Sequence, residues 1–435
     1  MTGAELIRST IFHTTGDPRY DAGAFVAIDD GGLLVRDGHI VACAEFAAIR
    51  AAHADVPVTD WRGGYVLPGL VDTHVHFPQL CVIGRLGDTL LDWLERTALP
   101  EEARMADVAY ARETARRFVR ALVSHGTTTA SVFGAHFAPA VAELFEAADA
   151  AGIRIATGLV LSDRRLRPEL HTTADAAYRE STALIRRYHG HGRALYSVTP
   201  RFALSASEAL LEVCQTLMRE QPSIRCQSHI NEQRDEIAAV DALFPWAEDY
   251  LAVYERFGLA GDRAILAHDV HATPPEIDRL AETGVTIAHC PASNAALGSG
   301  IFPLRRHLDA GVRCALGTDV GGGIGFGVLK EALQAYLMQR VAPEPIVLTP
   351  PHLLYLATRA GAEALGLADV TGDFTAGKAA DLVCIRPSEH SVLADVVRGA
   401  RDLEHVLSSL ITLAGAESIR EVRVDGDVVH RSEAA

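Results

Sequence analysis

Apolar residues along the middle of this chain follow two periods. Short apolar runs at residues 69–73, 126–132, 153–161, 195–198, 224–228, 264–267, 285–288 and 313–316 read as strands. Between them lie stretches in which apolar positions recur every three or four residues, for example 112–124, 138–151 and 173–188, the spacing of an amphipathic helix. Eight strands alternating with helices predict an α/β fold of the (β/α)8 type, a barrel that works at the C-terminal ends of its strands. An open doubly wound sheet is the alternative, but no glycine-rich dinucleotide fingerprint follows the first strand.

The flanks have a different texture. Residues 33–41 place apolar positions on both sides of Asp37-Gly38, and residues 422–429 do the same around Asp425-Gly426. Asp-Gly between apolar runs is the strongest short hairpin signal. Lone hairpins are marginal in water, so the two are expected to share one sheet. The expected organisation is therefore a small β-sandwich built from both termini (1–66 and 372–435) around a catalytic barrel (67–371), with linkers near 67–69 and 372–377.

Composition narrows the function classes. With 49% hydrophobic and 22% charged residues, and no bilayer-spanning apolar stretch, the 435-residue chain reads as soluble, with no membrane role. The first residues lack the basic and apolar segments of an export signal. Seven scattered cysteines without a Cys-x-x-Cys suit a reducing, cytoplasmic setting. A net charge of −16 disfavours nucleic acid as a partner. The one compact basic cluster, Arg164-Arg165-Leu166-Arg167, reads as a solvated loop face.

Candidate chemistry lies at the strand ends. The first barrel strand closes on His74-Val75-His76, and residues two apart on a strand point the same way, so both imidazoles face one point. The fifth strand ends on Ser228-His229, the sixth on Ala267-His268 and the eighth on Thr318-Asp319. A barrel brings these ends to one mouth, where His74, His76, His229, His268 and Asp319 meet as candidate metal ligands. A histidine-rich set favours zinc or iron over magnesium or calcium.

These residues sit in longer motifs. Pro-Gly-Leu-Val-Asp-Thr-His-Val-His (68–76), Ser-His-Ile-Asn-Glu (228–232), Ala-His-Cys-Pro-Ala-Ser-Asn (288–294), Leu-Gly-Thr-Asp (316–319) and Gly-Lys-Ala-Ala-Asp-Leu-Val (377–383) together resemble the metal-dependent amidohydrolase superfamily over nearly the whole chain. Within it, His-Phe-Pro-Gln (76–79), Leu-Asp-Trp-Leu (91–94), Thr-Pro-Arg-Phe-Ala-Leu-Ser (199–205) and Gly-Thr-Asp-Val-Gly-Gly-Gly (317–323) are similar to the guanine deaminases. The resemblance implies one zinc per chain held by His74, His76, His229 and Asp319, with His268 beside it as ligand or as partner of the bound water. The fourth-strand segment 195–201 contains no lysine, whereas two-metal members of the superfamily carry a bridging carboxylated lysine there.

Glu232, three residues past His229, is then placed to shuttle protons, with Asp319 or His268 taking one from water. The resemblance also puts Arg201 on the O6 and N7 acceptors of a purine, a match for a guanidinium fork. Gln79 is expected at the ring edge, giving and taking one hydrogen bond, and Phe202 and Trp93 as walls. It implies a small-molecule purine substrate and a homodimer. The third-strand exit departs from the pattern, with Arg165 where the subgroup has asparagine. Neither His-x-Glu nor Pro-Cys-x-x-Cys is present, which excludes the unrelated cysteine-ligated deaminase fold. Two other readings stay open: an aminohydrolase of another heterocycle such as a pterin, cytosine or an oxidised purine, and a metal-free scaffold.

Overall fold

A computed structural model describes residues 3–432. Eight of its strands line up in parallel in the order they leave the chain: β5 (Leu70–His76), β6 (Thr127–Phe133), β7 (Arg154–Gly158), β9 (Ala194–Pro200), β10 (Arg225–Ile230), β11 (Ala264–His268), β12 (Thr286–His289) and β13 (Arg313–Leu316). A short β8 (Val160–Leu161) prolongs the line of β7 after a one-residue break and pairs with β9. These are the eight strands read from the apolar runs, longer by up to three residues at the exits where the polar ligands sit. The barrel closes through its exits. Asp319 and His74 share a backbone hydrogen bond of 2.8 Å, as do His76 and Val320, and Thr73 donates its hydroxyl to the Leu316 carbonyl.

Helices pack outside the strands as their periodicity requires. Val108–Ser124 starts on Asp107, whose carboxylate accepts from two backbone N–H groups, and buries Ala111, Ala115, Phe118, Leu122 and their neighbours at three- and four-residue spacing. Ala138–Ala151 ends on left-handed Gly152, and Ala174–Tyr188 starts on the Thr173 cap. One apolar core runs through the barrel, its helices and part of the terminal sheet. Among the described residues no helix is long and apolar enough to cross a membrane.

The termini meet in a seven-stranded sheet of order β16-β15-β14-β4-β1-β2-β3, made from β1 (Ala4–Thr14), β2 (Phe25–Arg36), β3 (His39–Glu45), β4 (Val58–Pro68), β14 (Leu382–Ile385), β15 (Ile419–Val424) and β16 (Asp427–Arg431). Both Asp-Gly hairpins are present, at opposite ends of this sheet. Each turn has positive φ at both central residues, 49° and 80° at Asp37-Gly38 and 50° and 78° at Asp425-Gly426, the geometry that matches strand twist. The expected sandwich is built on one continuous hydrogen-bonded path that curls until the two turns touch. A Cβ on Gly38 would lie 2.3 Å from the Asp425 carbonyl oxygen, so glycine is required there for packing as well as for φ. Arg154 and Arg193, at the base of the barrel, reach Asp381 and Asp425 and tie the two parts together.

Candidate active site

Alternation along β5 turns Asp72, His74 and His76 to one side and Val75, fully buried, to the other. The Nε2 atoms of His74 and His76 lie 3.3 Å apart, that of His229 is 3.2 Å from His76, and one Asp319 carboxylate oxygen is 3.2 Å from both His74 and His76. His229 donates Nδ1–H to the Arg201 carbonyl at 2.5 Å, which leaves a bare lone pair on its Nε2. Burial pushes His74 down to about 3 and His229 well below the usual imidazole range, so both are neutral. Burial opposes the charge of Asp319, but its hydrogen bonds with His74 and His76 hold the carboxyl well below the ordinary value.

Buried lone pairs this close need a common partner. Metal–nitrogen bonds of about 2.0–2.1 Å at tetrahedral angles put ligand atoms about 3.3 Å apart, the spacing seen from His76 to His74, His229 and Asp319 and from His74 to Asp319, so this donor set fits a transition metal. His268 joins the cluster from another side, its ring within 4.8 Å of the ligand atoms of His74 and Asp319. Its Nδ1 is 2.9 Å from the Asn294 side-chain Oδ1, and its Nε2 lies 3.5 Å from Glu232 and 3.8 Å from Asp319. Burial works against protonation of His268, but the two carboxylates raise its pKa above the ordinary value.

Glu232 is 3% exposed beside this cluster. Its carboxyl is pushed up to about 7, chiefly by burial, with the Asp319 and Glu236 charges adding to it and His268 and the Ser299 hydroxyl opposing. Ser299 donates to its Oε1 at 3.0 Å. The helix-cap role that a glutamate so placed could fill belongs to Glu236, which accepts from the backbone of Glu232 and Gln233 and is fixed by Tyr250 at 2.7 Å. Glu232 is therefore free of capping and faces the cleft with a titratable proton.

The cleft is lined by Gln79, Trp93, Arg201, Phe202, Glu232 and His268 together with the candidate ligands His76, His229 and Asp319. His74, the fourth, lies beneath. Every residue singled out in the sequence is thus brought to one place. Gln79 differs in detail: its Oε1 accepts from Gly321 N–H at 3.0 Å and its Nε2 donates to Glu102 at 2.8 Å, which leaves one N–H for a ligand. Trp93, 3% exposed on the short helix Leu90–Trp93, covers the cleft beside Leu90 and Leu94.

Several contributors escaped sequence reasoning. Asp72 accepts from the Thr318 hydroxyl at 2.6 Å and its N–H at 3.0 Å, locking the Asp319 turn against β5. The same two-residue period that pairs His74 with His76 points to it. Glu102 is the buried partner of Arg201, Gln79 and His136. It follows Glu101, which is also buried but pairs with Arg104 and Tyr110, and nothing in the sequence says which of the two reaches Arg201. The basic cluster is also less solvated than expected. Arg164 lies over Phe244 and donates to the Ala203 carbonyl, bracing the third-strand loop against the fourth.

Comparison with known proteins places this arrangement. The pattern of the amidohydrolase family matches residues 65–429. A protein of Deinococcus radiodurans named a probable guanine deaminase is 53% identical over 99% of both chains. The structure of E. coli guanine deaminase superposes with a TM-score of 0.94 at 36% identity over the whole of both chains. That of guanine deaminase from C. acetobutylicum with guanine bound in the active site superposes with a TM-score of 0.91 at 27% identity, over 98% of this chain and 100% of that one.

Proposed function

The chain belongs to the amidohydrolase family, and from that premise we propose that it is a guanine deaminase, hydrolysing guanine to xanthine and ammonia with one zinc ion per chain. The observation that carries the reading is the meeting, in one buried cleft, of the candidate ligands, a carboxyl that titrates near neutrality and the Arg201 guanidinium. Residues 67–371 form the catalytic unit in this reading, and 1–66 with 372–435 its support. Free cysteines without a metal-binding spacing support a cytoplasmic setting, and the family resemblance supports a homodimer.

A divalent transition metal held by His74, His76, His229 and Asp319 supplies a Lewis acid and lowers the pKa of water toward neutrality; three nitrogens and one oxygen suit zinc, and iron is accommodated by the same set. Arg201 faces O6 and N7 of the purine, Gln79 offers its remaining N–H to the ring edge, and Phe202 and Trp93 close on the ring. Glu232, carrying a proton near pH 7, gives it to ring N3 as water adds at C2. Asp319, with His268 Nε2 at 3.8 Å beside it, takes the proton that the water releases. Glu232, now a carboxylate, takes the proton of the new C2 hydroxyl and passes it to the exocyclic nitrogen; the C2–N bond breaks, C2=O forms and ammonia leaves, and the proton held by Asp319 returns to Glu232 through solvent, so that guanine and water balance xanthine and ammonia.

The test is direct. Purified protein of measured metal content is given guanine, a pterin, cytosine and 8-oxoguanine in turn, and ammonia and product mass are followed. Guanine should be turned over with the highest kcat/KM and yield xanthine. A rate on guanine no better than on the other rings would overturn the reading, and sedimentation of the same sample reads the oligomeric state.

A further inference from the structure

The charge that holds the purine-reading groups does not come from a strand end. Leu99–Ala103 is a one-turn helix outside the barrel, and its Glu102 enters the site, 3% exposed, while Glu101, also buried, pairs with Arg104 and Tyr110 instead. One Glu102 oxygen accepts from Arg201 at 3.0 Å and from Gln79 at 2.8 Å, and the other is 3.1 Å from His136 Nε2. We propose that Glu102 is a specificity-determining positioning residue, which fixes the planes of Arg201 and Gln79 so that the cleft recognises a ring bearing an oxo acceptor.

The geometry supports this in three ways. Arg201 has five N–H donors and rotatable bonds that could aim them anywhere. Committing one terminal nitrogen to Glu102, with the guanidinium 5.3 Å from the Phe202 ring centre, restricts the direction of the remaining donors. Gln79 is held by its oxygen on Gly321 and its nitrogen on Glu102, so its amide cannot flip without stranding the Gly321 N–H beside a second donor. Burial alone would neutralise Glu102, but the Arg201 charge and the His136 hydrogen bond hold its carboxyl well below the ordinary value, so the pair with Arg201 is ionic. Glu102 does not line the cleft, and its partners are Arg201, Gln79 and His136 rather than the candidate metal ligands. It acts through Arg201 and Gln79.

This rests on the guanine reading above, and the experiment separates the two. Guanine and 2-aminopurine, which lacks the oxo acceptor, are compared in wild type, Glu102→Gln and Glu102→Asp. Glu102→Gln keeps the volume and one acceptor but removes the charge. It should retain its metal and lose roughly ten- to a hundred-fold in kcat/KM for guanine, mostly through KM, as expected when one charge-assisted contact in a buried site is lost. For 2-aminopurine the loss should be only about threefold or less. Glu102→Asp, which keeps the charge, should restore part of the preference. Combined with Arg201→Lys, Glu102→Gln should add little to the loss from Arg201→Lys alone. Equal losses on both substrates, or additive losses in the double variant, would overturn the proposal. If Glu102→Gln does not fold, the substrate ratio of Glu102→Asp decides in its place: an unchanged ratio with a lowered Tm would mean a structural role only. Wild type that ignores guanine would instead remove the reading beneath it.

Discussion

At the scale of single residues, the site is a set of short distances that make sense only together. Removing one of the clustered nitrogens should therefore cost more than one bond. His74→Ala and His76→Ala are expected to fold, to lose most of their bound metal and nearly all turnover; elemental analysis and circular dichroism on the same samples check both halves. Full metal content in both variants would remove them from the ligand set. Glu232→Gln is the complementary case. It keeps the Ser299 hydrogen bond but has no proton to give, so metal should stay while kcat falls by the roughly 10²–10⁴ of a general acid–base. Unchanged turnover would mean that Glu232 moves no proton.

Elements decide whether those distances can form. The strands and most helices were legible because each has one strong period, and because an Asp-Gly turn between apolar runs leaves the backbone little choice. The strand-end ligands were legible because alternation fixes which residues share a face. Glu102 was not, since it sits on a one-turn helix with no period to read, and its inward turn is set by Arg201, about a hundred residues further along. The approach of β13 to β5 is likewise set by tertiary packing. Gly317 lies so close to β5 that a Cβ would meet the His74 Cβ at 2.7 Å. Gly317→Ala should push the Asp319 turn away from His74, costing about 1–3 kcal/mol in stability as an overpacked site and weakening metal binding by roughly 10–100-fold, as displaced support does elsewhere. Competition with a chelator measures the second effect, and wild-type affinity would show that the strands can part without moving the ligands.

For the whole molecule, the terminal sheet carries its own titration. His13 on β1 is pushed down to about 4 by burial, with the nearby Asp373 charge opposing and Lys378 adding. Its folded value is below its unfolded one of about 6.5, so the folded state binds its proton less readily. The associated stability is present above pH 6.5 and is lost as pH falls toward 4, by about 3 kcal/mol at most. His13→Asn can still accept from the Phe374 N–H but does not titrate. Unfolding by denaturant at pH 7.5, 5.5 and 4 should show a shallower acid loss in the variant, and comparing the two proteins cancels the pH dependence of metal binding. Parallel curves would place the acid sensitivity elsewhere.

The same sheet orders events during synthesis. β4 leads directly into the first barrel strand, yet one edge of β4 pairs with β14, and β14 with β15. A ribosome has therefore delivered the whole barrel before the partner of that edge exists. Until residues 382–424 emerge, β4 offers unpaired N–H and C=O groups to any neighbouring nascent chain, a ready template for misassembly. Translation stopped after residue 371 should yield a barrel-length chain that collects in aggregates, and co-expression of residues 372–435 as a separate fragment should recover part of it in the soluble fraction. The last seventh of the chain, remote from the chemistry, would then govern how much of the enzyme a cell obtains.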